Sequence, residues 1–222
     1  LKALKLITAD KSIFVIACVG GLMYVPISSF AELWAIPFLM KTLEVDNTWA
    51  SFSSSMIFIG MAIGSPLVAK LSLLKNSYIK VMRQTSLFAA VLFLLGSLSK
   101  HLGYWPTFLV LLVGGIGLGG QVLCFSVVKE LIPNRISGTA MAYTNMLVML
   151  SGVIFQPMIG WLLDMGWQGD TNITSGCRIY SKDAFQHAVY AVPFCLLLSF
   201  IILYFVKDKK LKGSPKINWI MA

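Results

Sequence analysis

Acidic residues are scarce. The 222-residue chain has only nine Asp and Glu against 18 Lys and Arg, and charged side chains make up 12% of it. A soluble domain carries about 25%. That shortage excludes a soluble enzyme and a disordered chain. Histidine occurs twice and cysteine four times. Cys18, Cys124 and Cys195 fall inside apolar runs and Cys177 alone lies in a polar loop, so the cysteines define no disulfide framework. His101 and His187 are isolated near the ends of apolar runs. No metal, cofactor or covalent-catalysis site is visible. The glycines from Gly114 to Gly120 imitate a nucleotide-binding spacing, but no strand precedes them and they sit within an apolar span.

What the chain has in abundance is hydrocarbon. Hydrophobic residues reach 57%, and the net charge of +9 comes in short clusters between long apolar runs. A nucleic-acid binder would gather that charge into a patch on a polar fold, so no nucleic-acid partner is expected. A bilayer core needs about 20 mostly apolar residues per helix. Six segments qualify: Ile13–Met40, Trp49–Ala69, Gln84–Ser99, Trp105–Val128, Gly138–Leu163 and Ala184–Val206. They are too long for barrel strands and lack a two-residue alternation. The reading is an all-α membrane protein with six transmembrane helices, its bundle spanning residues 13–206. The first segment is about 42 Å long at 1.5 Å per residue, and Pro26 and Pro37 can bend it.

Charge sets the direction. The N-terminus, the loops 70–83 and 129–137 and the tail 207–222 share one side and hold fourteen Lys and Arg; the other side holds four. The positive-inside rule then makes both termini cytoplasmic, in a multi-pass plasma (inner) membrane protein. Residues 1–12 read as the cytoplasmic end of a central linker and 207–222 as a basic tail that contacts anionic lipid headgroups. The chain opens on Leu1 without an initiator Met and reads as a piece of a longer one. The longest loop, 164–183, faces outside and contains the sequon Asn172-Ile173-Thr174, a chance pattern in most chains.

The segments differ in kind. The fourth carries five glycines between Gly114 and Gly120, and the second has Gly60 and Gly64 in GxxxG spacing. Small residues let helix backbones approach closely, which places these helices in crowded positions. The third and sixth are bulkier and read as a lipid-facing outer pair, with the first, second, fourth and fifth bordering a central cavity. Ser65-Pro66-Leu67-Val68-Ala69-Lys70-Leu71 also matches Gln156-Pro157-Met158-Ile159-Gly160-Trp161-Leu162 at an offset of 91 residues, or three helices. Three is odd, so the two sets cross in opposite directions. That is the trace of two inverted three-helix repeats, a transporter architecture.

Gly138-Thr139-Ala140, Asn145, Gly152, Gln156-Pro157, Gly160 and Asp164 together resemble the eleventh helix of major facilitator superfamily transporters. Glu130-x-x-Pro133-x-x-x-x-Gly138 is similar to the loop before that helix, and Gly64-Ser65-Pro66 to the end of the eighth. The resemblance implies the C-terminal six-helix half, helices seven to twelve, with the N-terminal half as a missing partner. It implies a non-enzyme: a secondary transporter that moves a small-molecule substrate by alternating access. One departure stands out. Where the family often has an Asp-Arg pair after helix eight, this chain has Leu73-Leu74-Lys75-Asn76, with no acid.

Several residues are candidates for the substrate and proton pathway. Glu32 is the sole acid inside an apolar span, and Ser28 and Ser29 lie four and three residues earlier, on the same face of an α-helix. A proton-coupled symporter needs such a carboxylate; an interfacial residue is the bland alternative. Asn145 and Gln156 are eleven residues apart, which leaves them about 20° apart on one helix face. Such amides bond to a neighbouring helix or line a cavity. The resemblance tilts Asn145 towards packing and leaves Gln156 as the weaker packing residue. Gln121 is a similar candidate. Trp34, with Phe30, Pro37 and Phe38, could shape an outer gate or belong to an interfacial aromatic belt. The resemblance makes Glu130 and Arg135 candidates for an inner gate, with a solvated loop cluster as the alternative. A truncated, non-transporting remnant and a six-helix intramembrane enzyme are the competing functions; the enzyme lacks a buried Ser/His or Asp/Asp pair.

Overall fold

The computed structural model describes residues 2–171 and 178–207. The sequon 172–174, Cys177 and nearly all of the basic tail lie outside the described residues. A short helix, α1 (Lys2–Ala9), precedes six long apolar helices: α2 (Lys11–Leu43), α3 (Asn47–Leu74), α4 (Tyr78–Ser97), α5 (Tyr104–Leu131), α6 (Asn134–Met165) and α7 (Lys182–Phe205). Each corresponds to one of the six expected segments; four are extended by up to five residues at an end, while α4 begins six residues earlier but ends two short of Ser99, and α7 ends one short of Val206. The 1–12 region is thus mostly helix, and α1 buries Ile7 in the core.

Local chemistry fixes the boundaries. Asp10 caps α2 by accepting from the Ser12 N–H at 2.8 Å, and Asp46 caps α3 by accepting from Trp49 N–H at 2.9 Å. Ser77 and Ser181 do the same for α4 and α7, accepting from the Lys80 and Ala184 N–H groups. Glu44 and Asn76 take left-handed backbone conformations in the tight turns after α2 and α3. Pro66 and Pro157 sit within continuous helices, as the two matched heptapeptides place them.

The packing is uneven. In α2, 72% of the most apolar stretch is buried, against 28% in α3 and in α6, so the exposed apolar surface gathers on those two helices. The expectation of close backbone approach holds. α3 lies directly on α5: a Cβ added at Gly60 would stand 2.2 Å from Leu112 O, and one at Gly64 would stand 2.1 Å from Ile116 O. From the other side, a Cβ at Gly115 would fall 2.4 Å from Ile57 O. Only glycine allows this contact. α4 packs on α5 and also on α7, where Ser86 Oγ donates to Leu196 O at 2.7 Å and Arg83 Nη2 donates to Leu203 O at 2.8 Å. α2 packs on α6, on α7 and on the lower part of α5.

Candidate functional site

α2 leaves the α-helical pattern at Pro26 and winds as a π-helix through Trp34. Proline lacks the N–H that would continue the regular ladder. Nine residues of π winding are unusual, since such turns are mostly single bulges that gather at functional positions. Main-chain carbonyls of this segment are within reach of both neighbours. Gln156 Nε2 of α6 donates to Ser28 O at 2.5 Å, and Ser54 Oγ of α3 donates to Ala31 O at 3.1 Å.

The hydroxyls extend the seam. Ser151 Oγ donates to Val148 O at 2.7 Å, which uses its one proton. In the 3.1 Å contact between Ser28 Oγ and Ser151 Oγ, Ser28 is therefore the donor. Trp34 Nε1 donates to Gln156 O at 3.0 Å, and its ring lies over Gly160, where an added Cβ would be 3.2 Å away. Ser29 Oγ and Ser53 Oγ are buried without a partner among the described residues. Buried polar groups are mostly paired in folded proteins, and Asn76, Arg83, Tyr104 and Gln186, away from this seam, also have one such atom without a partner among the described residues.

This geometry brings together Ser28, Ser29, Trp34 and Gln156, and adds Ser53, Ser54 and Ser151. The added serines had a signal in part: Ser51-Phe52-Ser53-Ser54-Ser55 is dense in hydroxyls for a membrane segment. Two expectations are corrected. Gln156 is the amide that packs, and Asn145 is exposed. Glu32 is exposed while Ser28 and Ser29 are buried, so the three do not share a face. The π winding carries part of this: with more residues per turn Ser29 rotates away from Glu32, while Ser28 is covered by Ser151 of α6 and Glu32, one turn on, is not covered.

The remaining candidates stand apart. Gln121 is buried in a 3-10 turn of α5 at Gly119–Val122, with Cys124 Sγ 3.9 Å from its amide nitrogen. Glu130 and Arg135 are exposed at the far end of α5 and the start of α6. Trp34 is half-buried, with its indole N–H bonded to Gln156 O of α6. At the opposite end, three ion pairs tie the connections: Lys182–Glu44 at 2.6 Å, Lys100–Asp183 at 2.5 Å and Arg178–Asp164 at 2.6 Å. The Lys182 hydrogen bond holds the Glu44 carboxyl below its ordinary range. Pairs this exposed contribute little to stability singly.

The six-helix apolar bundle and its buried polar seam define an integral membrane protein. No protein-family model and no curated protein sequence matches the chain. Solved structures do. The chain superposes on the inward-open xylose transporter XylE from E. coli with a TM-score of 0.65 and 18% identity, over 88% of this chain and 48% of that one. It superposes on an outward-facing bacterial homologue of the iron transporter ferroportin with a TM-score of 0.60 and 18% identity, over 88% of this chain and 45% of that one. The chain has the fold of one six-helix half of a major facilitator transporter. It spans about half the length of these neighbours.

Proposed function

We propose that the chain is the C-terminal half of a secondary active transporter that moves a small polar metabolite by alternating access, in symport with protons. The observation that carries this reading is the π-wound segment of α2. It presents Ser28 to α6 and Ala31 O to α3, the two helices with the most open surface, and leaves Glu32 exposed beside them. An ionisable residue at membrane depth is costly and marks an ion or substrate pathway. The seam offers hydroxyls and an amide, which is chemistry suited to a polyhydroxylated solute such as the xylose carried by one neighbour. The missing N-terminal half would cover the open faces of α3 and α6.

The two proline heptapeptides support an inverted repeat. So does the packing, because α2 with α6 and α3 with α5 exchange when the first three spans are matched to the last three. In this reading both termini and the Lys75 turn are cytoplasmic, the three ion pairs lie outside, and the protein resides in the plasma membrane. Glu130 and Arg135 then stand at the inner gate and Trp34 at the outer one. Gln121 and Asn145 belong to the pathway only if the other half closes over them.

Glu32→Gln tests the coupling in the full-length protein. It keeps shape and hydrogen bonding but cannot titrate. Accumulation driven by a proton gradient is expected to vanish, while exchange of substrate at equal concentrations survives. Unchanged accumulation would remove Glu32 from the mechanism, and joint loss of both would make it a gate or substrate contact. Absence of uptake by the wild type, with any solute, favours the alternative of a non-transporting remnant.

A further inference from the structure

Away from the polar seam, α3 and α4 each grip α5 through its glycines. A Cβ at Gly64 or Gly119 would collide with the α3–α5 contact, and one at Gly117 would stand 3.0 Å from Phe88 of α4. α3 and α4 are thereby held against α5 and leave a gap between themselves. That gap is an open groove of about 480 Å³. Ligand-sized clefts run to roughly 300–1,000 Å³. Leu67 and Leu71 of α3, Phe88 of α4 and Ile116 of α5 line it with hydrocarbon. Leu67 and Phe88 are 55% and 47% exposed, so the lining is open to whatever surrounds the helices.

One end of the groove is different. Lys75 and Gln84 stand at its rim, and the Lys75 ammonium donates to the Gln84 amide oxygen across the turn between α3 and α4. From Lys70 to Arg83 the chain has four cations and no acid. Arg83 is turned away, bonded to Leu203 O and stacked over the Tyr204 ring at 4.7 Å. Glu130, the acid at that end of α5, is not among the lining side chains. The arrangement is an apolar trough that ends in a cation at the membrane boundary.

We propose that this groove binds an anionic phospholipid, with an acyl chain against Leu67, Leu71, Phe88 and Ile116 and the phosphate at Lys75. Hydrocarbon complements the trough, and basic side chains next to a bilayer attract anionic headgroups. Ordered water suits the trough poorly, because Thr85, the one hydroxyl in its lining, donates to Val81 O of its own helix and the remaining polar groups stand at the rim. The site is independent of the transport reading and needs only that the helices span a membrane.

The test is native mass spectrometry of the full-length protein released from bilayers of equal parts phosphatidylglycerol and phosphatidylcholine. Wild type is expected to retain phosphatidylglycerol preferentially. Lys75→Gln removes one charge, and the retained phosphatidylglycerol should fall about fivefold with phosphatidylcholine unchanged. Lys75→Arg should keep the preference. Leu67→Trp fills the trough from an exposed position and should lower retention of both lipids. Equal retention of the two lipids by wild type would overturn the proposal. So would a preference that survives both Lys75→Gln and Leu67→Trp, or a cross-link from a cysteine at position 67 to a second copy or another segment.

Discussion

Gly64→Ala offers the sharpest test of the packing. The new Cβ would stand 2.1 Å from Ile116 O and 2.7 Å from Ile116 C, both main-chain atoms that cannot swing aside. Ordinary contact begins near 3.4 Å, so the helices must part by about 1 Å. A gap of that size forfeits roughly a quarter to a half of the dispersion energy of each atom pair it separates. The loss would extend along the seam to Gly60, Gly115 and Gly119. Overpacking of this kind costs about 1–3 kcal/mol. Replacing a helical glycine by alanine returns about 0.5–1 kcal/mol through the unfolded chain. The net against wild type is about 0–2.5 kcal/mol, and against a helical glycine-to-alanine change that meets no clash the full cost of about 1–3 kcal/mol remains. Gly138→Ala is the control, because an added Cβ there meets nothing within 4 Å. Thermal unfolding of the full-length protein in detergent, followed with a thiol-reactive dye, reads both, since Cys124 and Cys195 are buried until the bundle opens. Gly64→Ala should melt about 1–6 °C below Gly138→Ala, which should match or slightly exceed wild type. A Gly64→Ala protein as stable as Gly138→Ala would refute the backbone contact between α3 and α5.

Two further outcomes are expected. Gln156→Leu removes the donor to Ser28 O and should lower stability by about 0.6–1.7 kcal/mol, the range for polar contacts between membrane helices, measured by the same melt; no change would mean that this bond is not made in the membrane. On a cysteine-free background, an impermeant thiol reagent applied to intact cells should label His101→Cys and spare Asn76→Cys; the reverse pattern would invert the proposed orientation.

The spans were legible because their signal is long and one-sided: about twenty apolar residues leave few alternatives in composition. The glycine contact was legible for a similar reason, since Gly60, Gly64 and the run from Gly114 to Gly120 have one physical use in a membrane helix. The polar seam was legible only in part. Ser28, Ser29 and Gln156 are legible as polar residues in apolar spans, but Ser151, which meets Ser28, and Ser54, which meets Ala31 O, are ordinary residues until a neighbouring helix reaches them. The face shared by Ser28, Ser29 and Glu32 failed for two reasons: Pro26 starts a π-wound segment that rotates Ser29 away from Glu32, and a helical wheel says nothing of which turn a neighbour such as Ser151 covers. Asn145 and Gln156 show the same limit from the other side. Both lie on α6, yet only Gln156 meets an irregular stretch of α2 with a carbonyl to accept its proton.

The two long seams of this bundle differ in what they permit. Along α3 and α5 the main chains themselves are in register, and sliding one past the other drives glycine-sized notches against carbonyl oxygens. Along α2 and α6 the joint is made by Ser28, Ser151, Gln156 and Trp34, whose hydrogen bonds can be surrendered to water or traded for a neighbour at small cost. One joint behaves as a weld and the other as a clasp. Any shear within this bundle is therefore expected at the clasp, with α3, α4 and α5 moving together as a single plate.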